Sequence, residues 1–146
     1  MKTNQIFTPQ IKAQLVSAIE QAELSSSGEI RLHIDNYCKS DVLDRAVTVF
    51  ETLEMHKTDL RNGVLFYLAV CDKKFAVIGD VGINQKVPPN FWDEIKSNVL
   101  INFKQNKFAE GLSEGIIKAG EQLKTHFPYQ KEDKNELDNE ISIGND

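Results

Sequence analysis

From Gly63 to Val70 the chain is almost wholly apolar, with Asp59 to Asn62 before it and Asp72-Lys73-Lys74 after it as polar ends. A strand with one wet face would alternate, so this run predicts a strand covered on both sides by helices. The three charged residues that follow leave room only for a hairpin, which sends Phe75 to Ile78 back antiparallel. Upstream, Glu29 to Asp35 does alternate: Ile30, Leu32 and Ile34 share one face, and Arg31, His33 and Asp35 the other. That pattern predicts a half-buried strand.

Helical spacing occupies most of what remains. Thr8 is placed as a cap ahead of Pro9, and Ile11, Leu15, Ala18, Ile19 and Ala22 then recur at helical intervals, predicting a helix from about Pro9 to Glu23. Asp41 can cap a second helix whose apolar positions Val42, Leu43, Ala46, Val49, Phe50 and Leu53 carry it to about Met55. Pro88-Pro89-Asn90 opens a third with Phe91, Trp92, Ile95, Val99 and Phe103, after a loop from Gly79 to Pro89. A fourth runs from about Phe108 to His126, and its Gly111 and Gly115 share one face, where missing side chains permit a close contact expected against the sheet. A strand, a helix and a strand in succession make two parallel strands. The fold class is therefore α/β, with a small mixed sheet and about four helices around it.

At 146 residues with 40% hydrophobic content, the chain fits one domain, expected over residues 1–128. The tail from Tyr129 to Asp146 holds six acids against Lys131 and Lys134, so it supplies −4 of the net −5. Too few apolar residues lie there to fold alone, and disorder is expected, with the acids serving as a solubilising arm or one for a basic partner. The near-neutral body offers nucleic acid little attraction. No apolar leader opens the chain and no apolar run exceeds strand length, so no membrane insertion and a soluble, cytoplasmic protein are expected. Cys38 and Cys71 form no CxxC pair, which is consistent with a reducing compartment.

Three stretches carry a family resemblance: SSSGEIRLHI, RNGVLFYLAVCDKKFAVIGDVGI and FWDEIKSNVLINFKQNKFAEGLSEGIIKAG, together spanning about Ser25 to Gly120. In order and spacing they resemble the TPM-domain family, which includes a thylakoid lumen protein, a photosystem II repair factor and a nematode receptor modulator. The matching features are Ser27-Gly28, Asn62-Gly63, Asp72-Lys73-Lys74, and Gly79-Asp80-Val81-Gly82. The resemblance implies an α/β/α sandwich. It also implies binding of Ca²⁺ or Mg²⁺, and a weak acid phosphatase activity associated with some members. Two features depart from the family: many relatives are exported or anchored, and where many read Asp-Asn-Gly this chain has Arg61-Asn62-Gly63.

Strand polarity sorts the polar residues onto two edges. Glu29, Asp59, Asn62 and Asp80 gather at one, where with loop carbonyls they could offer part of the roughly 6 to 8 oxygens that Ca²⁺ takes. Arg61 opposes a dense anionic cage there and is suited instead to holding a carboxylate or phosphate. Asp35 and Asp72 mark the alternative edge, at the carboxyl ends of the parallel strands, where open α/β sheets commonly bind ligands. Each residue also has a plain structural use. Asp72 suits a hairpin turn, Asp80 and Asn62 can bond loop backbone, and Asp59 with Arg61 can form an exposed ion pair. Trp92 could wall a pocket beside Asp80 or pack on the sheet.

The sequence holds no His-Glu-x-x-His and no Gly-x4-Gly-Lys-Ser/Thr, and no Gly-x-Ser-x-Gly elbow between a strand and a helix, since Gly111-Leu112-Ser113-Glu114-Gly115 falls inside the fourth predicted helix. Cys38 to Arg45 reads Cys-x6-Arg, with Asp41 and Asp44 where a phosphate would need positive charge. Three readings stand: a divalent-cation-binding domain centred near Asp80, a weak metal-assisted phosphatase, and a metal-independent module for an unidentified protein partner.

Overall fold

The computed structural model describes residues 6–24, 26–128 and 141–144. The first helix, α1 (Pro9–Glu23), starts where Thr8 Oγ1 accepts the amide of Ile11 at 3.3 Å, with proline in the first turn. Strand β1 (Glu29–Asp35) leads to α2 (Val42–Thr52), whose first turn is held by the Asp41 carboxylate accepting from the amides of Leu43 and Asp44. This helix ends before Met55: Leu53 closes it, Glu54 turns into the left-handed region with φ 58°, and a 3₁₀ turn follows at Met55–Lys57. The early stop lets the fully buried Met55 reach the small core under β2.

Strand β2 (Gly63–Ala69) is buried throughout, and β3 (Lys74–Gly79) returns antiparallel through a turn in which Lys73 has φ 51°. In the stretch expected to be a loop, one helical turn, α3 (Val81–Asn84), forms because Asp80 caps it. Helices α4 (Phe91–Lys104) and α5 (Phe108–His126) follow as their spacing predicts. Among the described residues, no helix is long and apolar enough to cross a membrane.

The sheet order is β3-β2-β1-β4, with β1 parallel to β2 and β2 antiparallel to β3. Helices α1, α4 and α5 cover one face, burying Ile30, Leu32, Ile34, Phe66 and Leu68, while α2 covers the other over Leu65, Tyr67 and Ala76. The result is an α/β/α sandwich. A Cβ on Gly111 would press on Asn102 of α4, and one on Gly115 would meet Phe66 of β2, so the glycine face approaches a helix as well as the sheet.

Two further expectations change. Strand β1 is largely buried on both faces, with His33 6% and Asp35 0% exposed, because hydrogen bonds described below satisfy His33 and Asp35 under α2. The tail also reaches the sheet: Ser142–Ile143 form β4, parallel to β1, with His33 opposite Ser142 and Ile34 opposite Ile143. Pairing supplies what the sparse apolar content could not, since a strand added to an existing edge needs no core of its own. The rest of the expected tail, residues 129–140 and 145–146, lies outside the described residues.

Candidate functional site

Parallel pairing puts Glu29 opposite Gly63, and the amide of Asp80 donates to the carbonyl of Gly63 at 2.9 Å. Glu29 and Asp80 therefore share one rim, with β2 between them, and their backbones stand about 10 Å apart, two strand spacings. Glu29 is buried, Asn62 is buried, and Asp59 is exposed.

Arg61 is brought to Asp80 by a close backbone contact. Its carbonyl accepts the amide of Gly82 at 2.8 Å, and a Cβ on Gly82 would collide with the carbonyl oxygens of Leu60 and Arg61. With Arg61 itself at φ 51°, its guanidinium donates from Nε to Asp80 Oδ2 at 2.6 Å and from Nη2 to Oδ1 at 2.9 Å. Oδ1 also accepts the amide of Val81 at 2.8 Å. The bond to Asp80 raises the Arg61 pKa, and the guanidinium stays half exposed over a buried carboxylate.

This bidentate pair answers how Asp80 is used. Among the described residues no group of three or more His, Cys, Asp or Glu side chains is placed to hold a metal ion. The side chains of Asp80, Asp59, Glu29 and Asn62 do not fit a carboxylate-rich Ca²⁺ or Mg²⁺ centre, since the one carboxylate best placed is already matched by a cation. Asn62 and Thr58 leave a residue of unmet polarity: both are buried, and the Asn62 amide and Thr58 hydroxyl have no hydrogen-bond partner among the described residues.

Beside Arg61 and Asp80 opens a cleft of about 800 Å³. Val47 and Phe50 of α2 form one wall, Trp92 of α4 the other, and Val77, Ile78 and Gly79 of β3 run between them. Trp92 donates its indole N–H to Asn84 Oδ1 at 2.7 Å, and Asn84 donates to the carbonyl of Gly79 at 2.8 Å. Gly79 has no room for a Cβ beneath the indole. Trp92 is thus a pocket wall. Because β3 is the terminal strand and Gly63 bonds Asp80, ladder alternation turns the N–H and C=O of Val77 away from β2, toward the cleft.

The alternative edge holds a closed network. Asp35 accepts from Tyr67 Oη at 2.6 Å and Arg45 Nε at 2.9 Å on one oxygen, and its other oxygen lies 2.9 Å from His33 Nε2. The His33 and Tyr67 rings stack with centroids 5.8 Å apart, and His33 Nδ1 lies 2.9 Å from Ser142 Oγ. Burial lowers the His33 pKa against the pull of Asp35. Burial raises that of Asp35, but the bonds from Arg45, Tyr67 and His33 outweigh it and leave it lowered. Burial first, then the bond to Asp35, drives Tyr67 far above the ordinary phenol range.

Asp72 serves the loop instead: its carboxylate accepts the amide of Cys38 at 2.7 Å. Arg45, which closes the Cys-x6-Arg pattern, is engaged with Asp35, and the Cys38 thiol faces the carbonyl of Ser40 at 3.3 Å. Sequence reasoning missed Arg45, Tyr67 and Ser142 as partners of this edge. One signal pointed there, since a phenol in an otherwise apolar buried strand must find an acceptor.

The model of the TPM domain matches residues 1–122. The NMR structure of BA42 protein from the psychrophilic bacterium Bizionia argentinensis is similar at 47% identity and TM-score 0.86, over 94% of each chain. The N-terminal domain of a protein from P. gingivalis shares the fold at 16% identity and TM-score 0.70, covering 88% of this chain and 85% of that one. So does the N-terminal domain of cg2496 protein from Corynebacterium glutamicum, at 11% and 0.63, covering 80% and 73%. None of the curated proteins compared with the chain matches it.

Proposed function

This chain belongs to the TPM-domain family, and from that premise we propose that it is a metal-independent binding module whose ligand surface is the cleft along β3. The observation that carries this reading is the cleft itself, about 800 Å³ with apolar walls at Val47, Phe50 and Trp92, lying on a strand edge. An edge that presents an N–H and a C=O between two walls suits an extended protein segment, which supplies matching backbone groups and side chains for the walls. Arg61 and Asp80 close one end as a neutral pair and favour a polar group there.

The test uses a random peptide display library selected on the full chain. Val47 is 46% exposed, so Val47→Glu changes a wall without disturbing the core. Selected peptides should lose binding to this variant while its melting temperature holds. Equal binding to both chains would remove the cleft from the reading.

A second reading, Ca²⁺ or Mg²⁺ at the same rim, is favoured by the unpartnered polar atoms of Asn62 and Thr58. A cation there would draw on those oxygens and nearby carbonyls and would have to displace Arg61 from Asp80. Phosphate-ester hydrolysis would need such a cation first, so no step is assigned to it. Saturable calcium shifts at residues 58–62 and 80–82 in the wild-type NMR spectrum would favour this reading over the first.

A further inference from the structure

The edge of β1 away from β2 is filled by residues from the far end of the chain. Ile141 packs on the main core, Ser142 Oγ meets His33 Nδ1 at 2.9 Å, Ile143 is 48% exposed, and the amide of Gly144 donates to the carbonyl of Ile34 at 2.8 Å. A Cβ on Gly144 would collide with Asp35 Oδ1 and His33 Nε2. Each position therefore meets a different demand: an apolar side chain, a hydroxyl, nothing, and the absence of a side chain. That is how an edge groove reads an extended ligand, with the backbone supplying affinity and alternate positions supplying specificity.

The recognition groups do not depend on the segment they meet. Asp35 is held by Tyr67 and Arg45, and His33 by Asp35 and by stacking on Tyr67. Twelve residues, 129–140, join Pro128 to the docked segment, and Leu137 is the one aliphatic side chain among them. Pro128 itself bridges to Ser26, just ahead of β1, and twelve residues of extended chain can span about 40 Å, more than the length of that strand.

We propose that the β1 edge is a strand-recognition groove for segments of the pattern apolar-Ser-x-Gly, and that Ile141–Gly144 is its tethered occupant. The surface is separate from the cleft along β3 and does not rest on it. A partner segment of the same chemistry competes with the tether, whose effective concentration is on the order of millimolar. Wild-type protein therefore resists such a partner until the tail is released.

The experiment compares full-length chains by NMR, adding a synthetic peptide of residues 139–146. In Gly144→Ala the tail should leave the groove: the amide at position 144, bonded to the carbonyl of Ile34 in the wild type, loses exchange protection, the His33 and Tyr67 signals move, and the remaining spectrum stays folded. The peptide should then bind this variant in trans and shift the amides of Arg31 to Asp35, at concentrations at least tenfold lower than wild type needs. The same peptide carrying Gly144→Ala should not bind. Ser142→Ala keeps the space and removes the hydroxyl, so that peptide should bind about 5- to 10-fold more weakly. Equal binding of the native and Gly144→Ala peptides, or no trans binding to a chain whose tail has demonstrably left, would overturn the proposal.

Discussion

Tyr67 donates its hydroxyl to Asp35 at 2.6 Å beneath α2, and the phenol and the carboxylate are both fully buried. The pair lies on adjacent strands, with Asp35 opposite Ala69 in the ladder. A carboxylate in this position is tolerated because three side chains bond to it, and each becomes a stability determinant.

Tyr67→Phe removes one donor and leaves Arg45 and His33 in place, so the expected loss is about 1–3 kcal/mol by urea denaturation. Arg45→Met takes away the counter-ion and should destabilise by more, about 3–5 kcal/mol, as when one member of a buried pair is removed. If Arg45→Met proved the milder change, Asp35 would not be charged in the fold.

Acidification should destabilise the protein in two stages. Burial holds the folded His33 pKa below 6.5, so as pH falls through 6.5 the unfolded chain binds a proton that the folded one resists, and stability declines. Asp35 in the fold lies below 3.8. Its contribution is complete above 3.8 and is lost as pH falls through the folded value. Melting temperature measured from pH 7 to pH 3 should show both declines, and His33→Gln should flatten the first. A wild-type curve level between pH 7 and pH 5 would contradict the burial of a neutral His33.

Arg61 sets the cation response of its rim. Wild-type protein should show no saturable calcium shifts at residues 58–62 and 80–82, because the Asp80 carboxylate is bonded twice by the guanidinium. Arg61→Asn frees that carboxylate beside Asn62 and should create a weak response. NMR titration distinguishes the two, and identical spectra for both chains would mean that Arg61 is not the barrier.

Gly82 holds α3 against the segment carrying Arg61. Gly82→Ala puts a methyl into the Leu60 and Arg61 carbonyls, and overpacking of this kind should destabilise by about 1–3 kcal/mol. The Arg61 Nε–H resonance, bonded to Asp80 in the wild type, should shift toward exposed values. A fully native resonance would show that the backbones can part without releasing the ion pair.

Much of the fold was legible from residue pattern. Thr8 and Asp41 marked helix starts, the Asp72 turn forced a hairpin, and the polarity of three strands placed Glu29 and Asp80 on one rim. The partners of the charged residues were not legible. Asp80 was grouped with other acids and is matched by Arg61. Asp35 was given a wet face, and Tyr67 and Arg45 enclose it. The one-turn α3 was hidden because four residues are too few to show a helical period.

The amino-acid sequence by itself determined the four longer helices, the strands β1 to β3, their directions and the covering of β2 on both faces, because periodicity and turn length act over a few neighbours. Tertiary structure alone decided which polar groups meet: Arg61 with Asp80 across 19 residues, Tyr67 with Asp35 across 32, and His33 with Ser142 across 109. Those encounters depend on how finished elements dock, and burial then makes each bond obligatory, since an unmatched polar group has no water to turn to.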